Sequence, residues 1–110
     1  MIVLASPLYW CSVTGLMKTF LDRLFFYYHP QNRSLILGKK AIIVTLMNQK
    51  DVAHESEVIV EFYNRLFNCL GVKIVDMVFF SDIMEKGAVL NKPEYTNQAY
   101  SIGKNLINRI

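Results

Sequence analysis

The segment MIVLASPLYWCSVTGLMKTFLDRL, residues 1–24, decides the fold class. The run MIVLAS is continuously apolar up to its serine and does not alternate, which is typical of a strand buried on both faces of a parallel sheet. Pro7 ends the strand, and Ser12 or Thr14 can cap the helix that follows. Apolar residues then recur at i, i+3, i+4 and i+7, so the pattern predicts an amphipathic helix over 14–28.

The rest of the chain repeats this alternation of strand and helix. The run KKAIIVTLM predicts a second buried strand over 40–46, and VKIVDMVFF predicts a third over 72–80, whose partial alternation indicates a sheet edge. Apolar stripes predict helices over 55–70, ended by Gly71, and over 94–109. Alternating β and α elements of these lengths predict an α/β fold with a parallel sheet and right-handed crossovers.

The stripes also predict how the helices pack. If the strands lie side by side in sequence order, the first two helices share one face of the sheet, and the third covers the opposite face alone. The first strand would then lie at an edge, although its composition is that of an inner strand. Cys69 is expected in the core. The second helix is expected to bury a stripe of Val58, Ile59, Phe62, Leu66, Phe67 and Leu70. The last helix is expected to bury a stripe of Tyr95, Ala99, Ile102, Leu106 and Ile110.

Composition excludes several classes of protein. The 110 residues fit one domain, and 53% hydrophobic with 19% charged residues excludes disorder. The net charge of +3 is scattered, with Lys39–Lys40 the one adjacent basic pair, so nucleic-acid binding is not expected. No apolar run reaches the roughly 20 residues of a membrane span. Cys11 and Cys69 lie far apart and no histidine stands at ligand spacing, which predicts no metal site and a reducing, cytoplasmic environment.

Two aromatic groups exceed what a core needs. Tyr9 and Trp10 stand in the turn between the first strand and the first helix, at the carboxyl edge of the sheet where α/β proteins bind ligands. Backbone amides and flat side chains there suit a flat conjugated ligand. The run LFFYYH, residues 24–29, is longer than one core stripe requires and predicts a contact surface. We therefore expect a homo-oligomer that uses the helix over 14–28, the uncovered edge of the strand over 1–6, or both.

The segment SPLYWCSVTGLMKTFLDRL resembles the motif SPxYWxSxxxxxKxFxDR of the flavodoxin-like NAD(P)H-dependent FMN reductases, and most closely their iron-sulfur flavoprotein branch. The strand entry GKKAIIVT and the closing AYSIGKNL are also similar to that family, so the likeness covers essentially the whole chain. The motif positions that match are Ser6, Pro7, Tyr9, Trp10, Ser12, Lys18, Phe20, Asp22 and Arg23.

This resemblance implies a three-layer, flavodoxin-like parallel sheet with FMN at the strand ends and NAD(P)H as the electron donor. FMN would take a hydride from NAD(P)H and pass electrons to a further acceptor, so the chemistry would be the cofactor's. No Ser-His-Asp or paired-carboxylate constellation points to other chemistry. Carried over by position, the ring contacts would be Pro7, Leu8, Tyr9, Trp10, Ser12, Leu46 and Met47.

Departures from the family limit the analogy. The family begins with a strand, a phosphate-binding loop of the type GSPRxxSxT and a helix, none of which occurs in residues 1–110, and no cysteine cluster is present for an iron-sulfur centre. Cys11 stands where the family commonly has glycine. The chain is therefore expected to be a single, N-terminally incomplete domain, the carboxyl-terminal βαβαβα portion, which binds FMN weakly or not at all by itself. The alternative is a non-catalytic remnant or assembly module.

Overall fold

The computed structural model describes residues 1–109. Its sheet has three parallel strands, β1 (Ile2–Pro7), β2 (Lys40–Leu46) and β3 (Lys73–Phe80), which pair in sequence order with β2 in the centre. The predicted strands lie within one residue of these bounds, and their parallel pairing is confirmed. The predicted α/β class with a parallel sheet is therefore confirmed.

Helices alternate with the strands as predicted, but two of the three predicted helices are divided. The helix over 14–28 is an α-helix followed by a 3₁₀ turn, and that over 94–109 is split into a longer and a shorter helix. The helix over 55–70 is continuous from residue 57, and a separate short helix over 52–55 precedes it. The helices are α1 (Gly15–Arg23), α2 (Val52–Glu55), α3 (Glu57–Leu70), α4 (Pro93–Lys104) and α5 (Leu106–Arg109), with 3₁₀ turns at Leu24–Tyr28, Arg33–Leu35 and Ala88–Asn91.

Local signals explain where α1 and α3 begin and end. The Thr14 side chain accepts a hydrogen bond from the backbone N–H of Met17 at 3.1 Å, so Thr14, rather than Ser12, caps α1. Gly71 ends α3 with φ +69°, a left-handed conformation that glycine adopts without strain. Within α3, the predicted pair of Glu61 and Arg65 forms at 2.6 Å.

The main core lies between the sheet and helices α1 and α3. Leu21 of α1 and four residues of α3 pack on the side chains that one face of the sheet presents, and these include Leu4 and Ile43. The four α3 residues are Ile59, Tyr63, Phe67 and Leu70. The predicted arrangement, in which the first two helices share one face, is confirmed.

The opposite face of the sheet is covered by the last part of the chain. Ile42, Val78 and Phe80 are buried outside the main core cluster. The ring of Phe80 stacks on Tyr95 of α4, with the centroids 4.7 Å apart, and the Tyr95 hydroxyl hydrogen-bonds Ser81 Oγ at 3.1 Å. Helices therefore lie on both faces, which confirms three layers.

Several side chains lie differently from their prediction. Cys69 is exposed, so its placement in the core was wrong. Val58 is exposed as well, and Tyr63, which the stripe omitted, is buried in its place. In the last helix Ala99 is exposed, while Ile102 and Leu106 are half-buried; Ile110 lies outside the described residues. Along α1 and the following 3₁₀ turn, the exposed part of the predicted stripe is Leu16, Phe20, Phe25 and Tyr28.

Candidate cofactor site at the carboxyl edge of the sheet

The turn after β1 is a tight hairpin with an unusual backbone. Tyr9 N–H donates to the carbonyl of Ser12 at 2.9 Å, and Ser12 N–H donates back to the carbonyl of Tyr9 at 3.1 Å. The two residues between them, Trp10 and Cys11, have φ values of +48° and +65°. Two consecutive left-handed residues define a type I′ turn, which favours glycine and asparagine. Neither residue present is of that kind, so the turn holds local backbone strain.

The surrounding structure fixes this turn in place. Leu8 N–H donates to the carbonyl of Leu46 at 2.8 Å, which ties the end of β1 to the end of β2. On the far side of the turn, the hydroxyl of buried Ser6 accepts from Thr14 N–H at 3.3 Å and donates to the carbonyl of Pro7 at 3.1 Å. The strand end, the turn and the start of α1 are therefore cross-linked, and the Trp10 side chain is presented to solvent with 99% of its surface exposed.

A cavity of about 390 Å³ opens beside the turn, at the carboxyl ends of the three strands. Its lining residues come from three loops and are Pro7, Leu8, Tyr9, Leu46, Met47, Asn48, Ile83, Met84, Glu85 and Lys86. The loop after β3 is held against the loop after β2, because Ile83 N–H donates to the carbonyl of Met47 at 3.0 Å and Asp82 N–H to that of Gln49 at 3.2 Å. A volume of this size lies within the usual range for small-molecule sites.

The structure brings most of the predicted contact residues together. Pro7, Leu8, Tyr9, Leu46 and Met47 all line this cavity, whereas Trp10 and Ser12 do not. Trp10 projects from the tip of the turn, and Ser12 is half-buried at its base. Sequence reasoning missed the side chains of Asn48 and of residues 83–86. The only signal for them was that FFSDIMEKG follows a strand end, since this loop carries no further aromatic residue.

The cavity suits a flat, largely apolar ring better than an anionic group. Its walls are mostly aliphatic, thioether and aromatic side chains, and the Tyr9 ring beside it is 60% exposed. Among the described lining residues, Lys86 is the one cation. The N-terminus of α1 is already capped by Thr14. The residues present therefore fit the isoalloxazine part of a flavin, and no phosphate cradle accompanies them in residues 1–109.

The comparisons with known proteins begin with a family model of the flavodoxin-like fold, which matches residues 1–101. The chain belongs to the flavodoxin-like family. No curated protein sequence matches the flavodoxin-like chain.

Solved structures share its fold at low sequence identity. The Trp repressor binding protein of Bacillus subtilis is 19% identical with a TM-score of 0.71, the match covering 96% of this chain and 63% of that one. An NADPH-quinone reductase from P. pentosaceus is 19% identical with a TM-score of 0.66, and the match covers 90% of this chain and 65% of the reductase. General stress protein 14 of Treponema denticola, solved in complex with FMN, is 17% identical at a TM-score of 0.67, with 89% and 60% covered. The flavodoxin-like chain thus spans less than two thirds of the length of these relatives.

The described part of the flavodoxin-like chain contains neither a metal-binding cluster nor a membrane-spanning helix. Within residues 1–109, no group of three or more histidine, cysteine or acidic side chains is placed to hold a metal ion. No helix in the described part of the chain is long and apolar enough to cross a membrane. Burial raises the pKa of Tyr63 to about 12, but this side chain belongs to the core beneath α3.

Proposed function

We propose that this chain is the isoalloxazine-binding part of an FMN-dependent oxidoreductase of the NAD(P)H:flavin or quinone reductase type. The observation that carries the proposal is the cavity at the carboxyl edge, where five of the seven predicted contact residues meet beside a strained turn. Backbone strain that persists in a folded protein is often found at functional sites. Membership of the flavodoxin-like family and the FMN complex of one relative support the choice of ligand.

When bound, FMN supplies the redox chemistry, accepting a hydride equivalent from NAD(P)H and passing electrons to an acceptor. The chain's own residues bind and orient the ring. Leu8 and Met47 are buried beneath the cavity and give it a rigid apolar floor, which excludes water from one side of a bound ring. Tyr9 offers an aromatic face at its wall, and Trp10 is free to cover the ring from the turn because no protein contact restrains its exposed indole.

The reducing cytoplasm is the location we propose. Both cysteines, Cys11 and Cys69, are unpaired and exposed to solvent. Exposed thiols persist in the reduced state where glutathione and thioredoxin maintain it.

The alternative is an assembly module that does not bind FMN on its own, and the single cation in the cavity favours it. Hydrogen bonds to a charged group contribute roughly 1.5–3 kcal/mol each. A ring site that lacks two of the hydrogen bonds a phosphate would accept is expected to bind FMN roughly a hundred- to ten-thousand-fold more weakly. Self-association through exposed aromatic residues is part of both proposals. The partners that we expect are a second copy of the chain and the flavin and nicotinamide nucleotides.

Titration of the chain with FMN and, in parallel, with riboflavin tests the proposal. The signal is the quenching of flavin fluorescence when the flavin binds the chain. If the ring site is present without a phosphate site, FMN and riboflavin should bind with similar dissociation constants, in the high micromolar range or above. Tyr9→Ala and Trp10→Ala should each weaken the quenching, because stacking contributes about 0.5–1.5 kcal/mol. The matched control is Tyr100→Ala, since Tyr100 on α4 is an aromatic residue whose exposure lies between those of Tyr9 and Trp10.

Two outcomes contradict the proposal in different ways. Sub-micromolar binding of FMN but not of riboflavin would mean that residues 1–110 do contain a phosphate site. No quenching by either flavin at millimolar concentration, with the fold intact by circular dichroism, would support the assembly module instead.

A further inference from the structure

The loop that follows β3 forms one wall of the cavity at the carboxyl edge of the sheet. Residues 83–86 line that cavity, and the charged side chains among its described lining residues, Glu85 and Lys86, both belong to this loop. β3 is the edge strand opposite β1, and the loop extends from its carboxyl end. The position of the loop therefore decides whether the cavity has this wall and these charges.

The beginning of the loop is fixed by its backbone. Asp82 has a φ of +57°, in the left-handed region that aspartate and asparagine adopt more readily than most residues. The N–H groups of Asp82 and Ile83 donate to the carbonyls of Gln49 and Met47, at 3.2 and 3.0 Å. These two hydrogen bonds hold the start of the loop against the loop after β2.

The segment that reaches the cavity has no such attachment. Within residues 1–109, the backbone hydrogen bonds of residues 84–91 stay inside the loop, as in the turn where Ala88 N–H donates to the carbonyl of Glu85 at 3.0 Å. Gly87, with a φ of +79°, permits that turn. Met84 is 78% exposed, so its side chain adds little packing. The position of this segment therefore depends on how the two ends of the loop are held.

The far end of the loop is tied back to its beginning by an ion pair. Lys92 Nζ lies 3.3 Å from Asp82 Oδ2, across the base of the loop. The same ammonium group lies 5.4 Å from the centre of the Tyr95 ring, within the range of a cation–π interaction. Tyr95 is held at the end of β3, because its ring stacks on buried Phe80 and its hydroxyl forms a hydrogen bond with Ser81. We call the pair of Asp82 and Lys92 the clasp.

The clasp differs from the ion pairs on the helix surfaces. Its lysine side chain is only 24% exposed, whereas the side chains of the pairs on α1 and α3 are all more than half exposed. Fully exposed ion pairs contribute little because water and salt screen them, and the clasp is less screened. It also joins the two ends of a loop rather than neighbouring turns of one helix. Surface loops of about 6–16 residues whose ends meet are frequently functional.

We propose that Asp82 and Lys92 are positioning residues of the flavin site, because their ion pair holds the loop closed. The closed loop would keep residues 84–86 against a bound isoalloxazine ring. This inference rests on the proposed function, since the ring is the ligand that the wall would cover. If the loop opens, the ring loses this wall, so the apparent affinity for a flavin should fall in proportion to the fraction of chains with a closed loop.

Limited proteolysis with trypsin tests whether the clasp closes the loop. Lys86 is exposed and precedes Gly87, so it is a cleavage site, whereas Lys92 precedes Pro93 and is protected from trypsin in the parent and in every variant. Cleavage of a transiently opened segment follows the population of the open form. We expect Asp82→Asn and Lys92→Met each to raise the initial rate of cleavage after Lys86 about two- to fivefold.

Matched controls separate the clasp from general effects. Asparagine tolerates a left-handed backbone as aspartate does, so Asp82→Asn removes the charge without straining the turn. Lys92→Arg keeps the positive charge and should be cleaved at the parent rate. Glu61→Gln breaks the ion pair on α3 and should have no effect on the loop. Cleavage after the exposed Lys39, at the opposite end of the sheet, should be the same in every variant.

Binding of riboflavin tests whether the closed loop serves the ligand. The chain is titrated into a fixed, low concentration of riboflavin, and the quenching of flavin fluorescence gives the dissociation constant. Asp82→Asn and Lys92→Met should raise this constant by about the factor by which they raise cleavage after Lys86, and Lys92→Arg should not. Riboflavin carries no net charge, so the difference between the parent and Asp82→Asn should shrink as salt screens the clasp itself.

Three outcomes would overturn the proposal. The first is that neither charge-removing variant changes the cleavage after Lys86, since the clasp would then not hold the loop. The second is faster cleavage with unchanged binding of riboflavin, because the loop would then not cover the ligand, although the proposed function would stand. The third is that riboflavin does not bind the unmodified chain, which contradicts the proposed function itself whatever the cleavage rates are.

Discussion

Cys11 has a backbone conformation that is costly for a residue with a side chain. Its φ of +65° is in the left-handed region, which costs a residue with a side chain about 1–2 kcal/mol. Glycine avoids that cost but loses roughly 0.5–1 kcal/mol of chain entropy. We therefore expect Cys11→Gly to raise the free energy of unfolding by about 0.5–1 kcal/mol in urea titrations. Cys11→Ala is the control: an equal gain there would show that the thiol, and not the backbone, is responsible.

Tyr63 carries a second cost at the residue scale. Its side chain is 1% exposed, and its hydroxyl has no hydrogen-bond partner within the described protein. Burial raises its pKa to about 12 from the ordinary 10, so the folded chain holds this proton more tightly than the unfolded one. Stability should fall by up to about 1.4 kcal/mol per pH unit as the pH rises from 10 to 12. Tyr63→Phe should remove that dependence and unfold no more easily at pH 7. If Tyr63→Phe instead lowered the free energy of unfolding at pH 7, the Tyr63 hydroxyl would have to form a hydrogen bond in the folded protein.

At the scale of elements, α3 shows why a stripe read from sequence can be displaced. The predicted stripe began at Val58 and omitted Tyr63, whose ring is apolar although it carries a hydroxyl. In the structure Ile59, Tyr63 and Phe67 follow each other at intervals of four, and Val58 lies one position outside that line. Ile59→Ala should therefore cost about 2–5 kcal/mol by thermal or urea unfolding. Val58→Lys should change the free energy of unfolding by no more than about 0.5 kcal/mol. A larger loss would mean that Val58 is buried, as the sequence pattern predicted.

The strands and the Gly71 end of α3 could be predicted to within one residue, whereas the breaks within the helices over 14–28 and 94–109 and the contacts between loops could not. A buried parallel strand is marked by composition alone, as MIVLAS and KKAIIVTLM show. The division of 14–28 into α1 and a 3₁₀ turn depends on packing against neighbouring elements, which leaves no local signal. The same distinction between local signals and tertiary contacts applies to the candidate site. Tyr9 was found from the turn, and Pro7 and Leu8 were found from the family resemblance. Residues 83–86 were missed, because their loop is held at the cavity by backbone hydrogen bonds to Met47 and Gln49 that only the folded chain displays.

For the whole molecule, the surplus of exposed aromatic side chains predicts self-association. Phe25, Phe26 and Tyr28 are each more than half exposed, and the Phe25 and Tyr28 rings stack at 5.9 Å beside a cleft of about 350 Å³ between α1 and α3. Apolar surface of this kind is characteristic of interfaces. We expect sedimentation equilibrium at micromolar concentration to show an oligomer, and the double variant Phe25→Ser and Tyr28→Ser to shift it toward monomer. Tyr100→Ser, an exposed aromatic on α4, is the matched control and should leave the oligomer intact. A monodisperse monomer of the unmodified chain would contradict the prediction. A monomer produced by Ala5→Pro alone would instead move the interface to the open edge of β1.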